Sequence, residues 1–236
     1  MYRYLAPVAA LYLAGSARAE FGNSFYLGPF PDGQVITKAT YSMAAPDVPT
    51  GYDSSDSSLW LSVWVGVQPQ SDDEDNENLV QPLLNWCLDN ESCGCAADED
   101  QWCAAANTYT PSGQEGEDYV VVPTDATLDF EIAVNSSTNL IDQKIWINGE
   151  LVSQKSDSSG MQPGVIYSAN ECSDANCGTL AAFSWTNMTL TLSAAVDSIE
   201  DYLALNVATS SGFTTTDGGL TWQVDEINMG TDTAWS

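Results

Sequence analysis

The sequence predicts an all-β protein: a single-domain antiparallel β-sandwich carrying a disulfide-rich loop insertion. Apolar runs of strand length recur along the chain, turn residues punctuate them, and no segment sustains a helical period. Weak helical spacing is confined to residues 79–89 and 196–203.

The first segment, "MYRYLAPVAALYLAGSARA", has a basic start at Arg3, an apolar run and a small-x-small end at Ala17-Arg18-Ala19. It predicts a secretory signal over 1–19, cut before Glu20, with one domain over 20–236. No later apolar run approaches the roughly 18 residues that span a bilayer. The expected product is secreted and extracellular, and meets no membrane.

"QVITKATYSM" is the first strand-like run, followed by the loop "APDVPTGYDSSDSS". Then comes "LWLSVWVGV", residues 59–67, where Leu59, Leu61, Val63, Val65 and Val67 alternate with Trp60, Ser62, Trp64 and Gly66. Period-two alternation predicts a strand with its aliphatic set inward. Two readings stand for the outward indoles Trp60 and Trp64: cover by neighbouring loops, or a cleft gripping peptide or sugar. Trp146 and Trp185 have strand phases compatible with the same groove.

The loop "QPQSDDEDNEN" is acidic but lacks the spaced ligands and turn glycine of an EF-hand, so a solvated loop is expected and no metal. "LVQPLLNW" is a short apolar piece. "CLDNESCGCAADEDQWC" is the cysteine-rich insertion, and "YVVV" follows it. In "LDFEIAV", Leu128, Phe130, Ile132 and Val134 share one face, leaving Asp129 and Glu131 on the other. "KIWINGELV" carries Asn148-Gly149, a two-residue hairpin signal. "TLAAFSWTNMTLTLS", "DYLALNVA" and "LTWQVDEINM" complete the strands. Asp129/Glu131 and Asp225/Glu226 are strand carboxylates of the kind a glycosidase sets across a groove, or merely solvated ones.

Composition prunes the chemistry. Beyond the signal, Lys38, Lys144 and Lys155 stand against all 33 acidic residues, a net charge of about −30. Such a surface repels nucleic acid and anionic membranes and favours acidic surroundings. There is no His, and no Arg beyond the signal. Ser-His-Asp and Cys-His catalysis, His-bound zinc and Arg clamping are excluded. Carboxyl, amide, hydroxyl and phenol groups remain, and no cofactor is expected.

The six cysteines, Cys87, Cys93, Cys95, Cys103, Cys172 and Cys177, predict disulfides. Six cysteines allow 15 connectivities, which the sequence does not resolve; one of them closes a small local loop at Cys172 and Cys177 and staples the insertion onto itself with the other four. Asn90, Asn135 and Asn187 open N-glycosylation sequons.

The order "SVWVGV", "LVQPLLNW", "NECSDANCGTLAAFSWTNMTLTLS", "LTWQVDEINM" resembles the fungal glutamic peptidases (eqolisins). Trp64-Val65-Gly66-Val67 and the stretch from Cys177 to Thr189 are its most specific pieces. The resemblance implies a concanavalin A-like sandwich of two curved sheets with substrate in the concave face. It also implies acid endopeptidase chemistry, with Gln81 as the positioning amide and Glu171 as general acid and base. Trp60 and Trp64 would border the cleft, with Glu131, Trp146 and Trp185 as further substrate-binding candidates. The active-site motif is degenerate: Gln68 stands where the family carries an acidic residue, Pro82 follows Gln81, and "SANECSD" interrupts the Glu motif with cysteine. The fold therefore transfers better than the activity. The expected partner is a peptide or polysaccharide met by a monomer. A glycan-binding or glycan-hydrolysing protein, and a catalytically silent homologue, are the alternatives.

Overall fold

The computed structural model describes residues 19–70, 77–174, 176–233 and 235. The expected signal, up to residue 18, and residues 71–76 of the acidic loop lie outside the described residues.

In chain order the first strands are β1 (Glu20–Leu27), β2 (Ile36–Ala44), β3 (Trp60–Pro69), β4 (Leu79–Val80), β5 (Leu83–Cys87) and β6 (Trp102–Ala105). Next come β7 (Asn107–Thr110), β8 (Gly113–Gly116), β9 (Val120–Val122), β10 (Thr127–Asn135), β11 (Leu140–Ile147) and β12 (Glu150–Asp157). The last are β13 (Pro163–Cys172), β14 (Phe183–Leu192), β15 (Leu203–Asn206), β16 (Ala208–Ser210), β17 (Phe213–Thr214) and β18 (Thr221–Met229).

One sheet runs β15-β1-β13-β3-β4-β7-β8, with β5 paired to β3 and β6, and β9 paired to β6. The other runs β12-β11-β10-β2-β14-β18-β16, with β17 on β18. Neighbours pair antiparallel throughout the described strands, as the sequence predicts for an all-β sandwich. The weak helical spacings are not realised as α-helices. Residues 79–80 and 83–87 are strand, and 196–203 hold one 3-10 turn, Ile199–Tyr202. Short apolar runs do not distinguish strand from buried helix by periodicity alone.

Leu59, Leu61, Val63, Val65 and Val67 point into the core with Tyr41, Phe130, Trp185, Leu190 and Ile227 of the opposite sheet. Tyr41 stacks on Phe130 at 5.0 Å, and Trp185 meets Tyr41 edge-on at 5.5 Å. Hydrogen bonds tie the layers, among them one from Tyr41 Oη to the Val65 carbonyl at 3.0 Å and one from Trp185 Nε1 to Ser168 Oγ at 3.1 Å. A buried phenol or indole stabilises a core only when its polar atom is paired, and both are.

The β11–β12 hairpin turns at Asn148 and Gly149, whose φ angles of 51° and 82° are the left-handed pair that the Asn-Gly signal predicts. Cys172–Cys177 closes a local loop, while Cys87–Cys93 and Cys95–Cys103 staple the insertion beside β5 and β6.

Pro82 interrupts the β4/β5 ladder without breaking its register, because Val80 pairs with Val67 and Leu83 with Trp64 at one constant offset. At the other end of the chain Asp232 forms a bridge with Leu180. Its Oδ2 accepts from the Asn23 N–H at 2.6 Å and from Asn170 Nδ2 at 2.9 Å. Gly22 leaves room for that carboxylate where β1 bulges between Phe21 and Ser24, since any Cβ there would overlap it.

Trp185→Ala should cost about 3–5 kcal/mol, the usual penalty for emptying an aromatic core site. Chemical denaturation measures it, and a loss below about 1 kcal/mol would contradict this packing.

Candidate functional site

The outward face of β3 carries the candidate site, and register fixes its neighbours row by row. Glu171, Ser62 and Asn85 form one cross-strand row, with Phe21 beyond Glu171. Ala169, Trp64 and Leu83 form the next. Tyr167 pairs with Gly66, and the continuous β4/β5 register puts Gln81 on the other side of Gly66.

Although outward, this face is not open. Trp64, Leu79, Leu83, Val165, Tyr167 and Ala169 make a second apolar cluster, with Phe21, Tyr26, Tyr109 and Tyr119 half-buried around it. An outer-face indole reaches 1 % exposure only where neighbouring groups rise around it, so the face is a trough with aromatic walls. Trp64 packs edge-on against Tyr167 at 5.3 Å. The expectation of two ligand-facing indoles is therefore corrected: Trp64 belongs largely to the floor, and Trp60 stays half-buried at the end of the strand.

Glu171 is the chemically distinctive group. Burial pushes its carboxyl up to about 7, and the hydrogen bond from Trp64 Nε1 to Oε2, 3.0 Å, opposes that shift only in part. Beside it Ser62 Oγ donates to Asn85 Oδ1 at 2.5 Å. Tyr167 Oη donates to Gln68 Oε1 at 2.8 Å, two rows away. Among the paired positions of β13, β3 and β5 on this face, Glu171 is the single carboxyl.

Gln81 lies on the same face, 3 % exposed, its backbone N–H bonded to the Asn107 carbonyl at 2.8 Å. Register separates it from Glu171 by four residues along β3, about 13 Å, and by two strand spacings, about 10 Å. Trp64 and Leu83 stand in the row between. The two groups share a face without sharing a row.

Three expected groove residues lie elsewhere. Trp185 is in the core, because β14 turns Phe183, Trp185 and, past a bulge, Met188 and Leu190 inward. Glu131 and Trp146 alternate with core residues on β10 and β11, so they occupy the outer face of the other sheet. There Glu131 takes Lys38 at 2.5 Å and Lys144 at 3.0 Å. Desolvation raises its carboxyl, but the two lysines outweigh that and hold it below its ordinary value. Lys144 also sits 6.0 Å from the Trp146 ring. Asp129 accepts from Ser42, and Glu226 from Ser184, on that same face.

The sequons differ as well. Asn90 is buried, its Oδ1 capping the Cys87 N–H and its Nδ2 donating to the Asp98 and Gln101 carbonyls, so the folded chain offers no amide for a glycan there. Asn135 Nδ2 is bonded to Asp142 at 2.9 Å. Asn187 is exposed, at a bulge with φ 52°. Among the described residues no group of three or more Cys, Asp or Glu side chains is placed to hold a metal, and no helix is long and apolar enough to cross a membrane.

Asn85, Asn107 and Tyr167 were missed by sequence reasoning. Nothing local marks them; their place depends on pairings between distant segments.

No protein-family model matches the sequence, and no curated protein matches it, so the glutamic-peptidase resemblance gains no support. Among solved structures, a β-glucanase from Bacillus licheniformis aligns at 13% identity and TM-score 0.34, over 83% of this chain and 66% of its own. The chain thus spans just under two thirds of that enzyme's length. A lichenase from a mouse hindgut metagenome aligns at 10% identity and TM-score 0.33, over 88% and 78%. A Caenorhabditis elegans galectin aligns at 14% identity and TM-score 0.29, over 66% and 96%. At overlaps this low the likeness carries no argument about activity.

The folded state holds the Glu171 proton more tightly than the unfolded chain does. Its contribution to stability is complete below about 4.5, declines as pH rises, and is gone above about 7. Glu171→Gln should remove this decline, sparing on the order of 3 kcal/mol between pH 4.5 and 7. Denaturant titrations across that window check it, and identical slopes for both proteins would refute the assignment.

Proposed function

We propose that the trough on the β3 face binds an uncharged polysaccharide in acidic, extracellular surroundings, with protonated Glu171 as the central hydrogen-bond donor. The observation that carries this reading is Glu171 itself, a carboxyl held neutral up to about 7 among aromatic walls. Sugar rings have apolar faces that suit aromatic side chains, and hydroxyl rims that suit amides, hydroxyls and a carboxyl. The chain's negative charge opposes uronate or sulfated polymers, and the lysines that could offset it on β2 and β11 are drawn to Glu131 on the far sheet. A protonated carboxyl is also the general acid that glycoside cleavage requires.

An acid endopeptidase is the second reading. It is favoured by Gln81, whose buried Oε1 lies on the same face as Glu171 without a partner among the described residues.

An array of neutral polysaccharides, read at pH 5 and pH 8, tests the first reading. Binding should weaken at least about tenfold at the higher pH as Glu171 ionises, and Glu171→Gln should flatten that dependence. Release of reducing ends by wild type but not by Glu171→Gln would make the protein a hydrolase. Cleavage of denatured protein at low pH, lost in both Glu171→Gln and Gln81→Ala, with no glycan bound, would favour the peptidase instead.

A further inference from the structure

The row next to Trp64 contains a second polar group that the Glu171 reading leaves unused. Continuing the β4/β7 register one step beyond Val80–Thr108 pairs Gln81 directly with Asn107. Asn107 in turn pairs with Gly116 on β8. The row therefore reads Tyr167, Gly66, Gln81, Asn107, Gly116. Two carboxamides stand side by side, flanked by glycines, with Cβ atoms about 5 Å apart.

Both are 3 % exposed, and both carry a buried oxygen, Gln81 Oε1 and Asn107 Oδ1, that no described group donates to. Neither amide is displaced by a better-packed neighbour. A Cβ on Gly66 would stand 3.0 Å from Gln81 Cβ, and one on Gly116 would stand 2.5 Å from Asn107 Nδ2. Asn107 thus rests its NH2 end over Gly116, which turns its oxygen away from that strand. The backbone groups of the row are satisfied independently: Gln81 N–H bonds the Asn107 carbonyl, and Asn107 N–H bonds Gln143 Oε1 at 2.9 Å. The side-chain oxygens are accordingly not needed to hold the sheet. Unpaired buried acceptors cost stability; Gln34 and Asn170 carry one each, and at Gln81 and Asn107 two stand side by side in one row, leaving a pair of acceptors for a donor from outside the fold.

We infer that the Gln81–Asn107 pair is a second sugar subsite, accepting hydrogen bonds from hydroxyls of a ligand chain that crosses β3 diagonally from Glu171 on β13. This rests on the glycan reading above. The pair lies about 13 Å along the strand from the Glu171 row and about 10–15 Å across it, two to three strand spacings from Glu171, with the Trp64 ring in the row between. A chain reaching both rows meets a donor at Glu171 and two acceptors at the amides. A short ligand fills one row alone. The site therefore reads chain length, and the amides supply the gain in affinity of long oligomers over short ones.

The test is calorimetric titration of uncharged oligosaccharides, from disaccharide to octasaccharide, at pH 5. It compares wild type, Glu171→Gln and the double variant Gln81→Met, Asn107→Leu. Near-isosteric apolar replacements of unpaired acceptors leave folding neutral or improve it, so the double variant should melt at or above the wild-type temperature. In wild type, affinity should step up at least about tenfold once the ligand spans both rows, the effect of two hydrogen bonds. In the double variant that step should vanish, so that long oligomers gain nothing over short ones. A retained step overturns the subsite and leaves the glycan reading standing. Loss of binding at every length in the double variant also overturns it, since the amides then serve only the fold. Absence of binding at every length by wild type overturns the glycan reading, and the subsite with it. A length step for uncharged oligopeptides in place of sugars would assign the row to the peptidase reading.

Discussion

The pairing of β3 with β13 on one side and with β4 and β5 on the other sets everything on the trough. Five aliphatic side chains seal that strand to the core, so the opposite face has one permitted register. A slip of one residue would send Trp60, Ser62 and Trp64 into the core and expose the valines. Because the register is held by burial, the rows Glu171–Ser62–Asn85 and Tyr167–Gly66–Gln81 are held too. The polar groups inherit their positions from apolar ones. Pro82 is tolerated within this arrangement because the neighbouring Gln81 N–H keeps its bond across the gap.

Much of the scaffold was readable from alternation and turns. The β3 core face and the Asn-Gly hairpin follow from patterns a few residues long, whereas the pairing of the six cysteines needed the structure. The candidate site was less so. Phase alone says which residues leave the core, but not which sheet they leave it from. Trp146 and Trp60 both face outward, yet from opposite layers. Trp185 shows a further limit: the β14 bulge between Thr186 and Thr189 resets the alternation, so phase counted through "FSWTNMTLTL" assigns its ends inconsistently. Asn107 becomes meaningful only as the cross-strand neighbour of Gln81, 26 positions away, and no local pattern carries that information.

Electrostatically the two outer faces are opposites. On the β10/β11 face Glu131 sits between two lysines and stays ionised. On the β3 face Glu171 meets an indole N–H and apolar walls, and burial raises its carboxyl to about 7. Two glutamates of one chain are thus driven in contrary directions by what surrounds them. In a protein with so few cations, the placement of Lys38 and Lys144 largely decides which carboxylates are compensated. The remainder repel one another at neutral pH, and protonation relieves them in acid.

The Asp232 anchor has a consequence for biogenesis. It joins the first strand to a segment synthesised more than 200 positions later, since Asp232 meets Asn23 across a separation of 209. Strand β1 also depends on β13, and β14 on β18. Strand β1 therefore stays without its lasting partners until β13 and the segment around Asp232 have been made. Such non-local topology makes for slow folding, because distant segments must meet before either sheet gains its contacts.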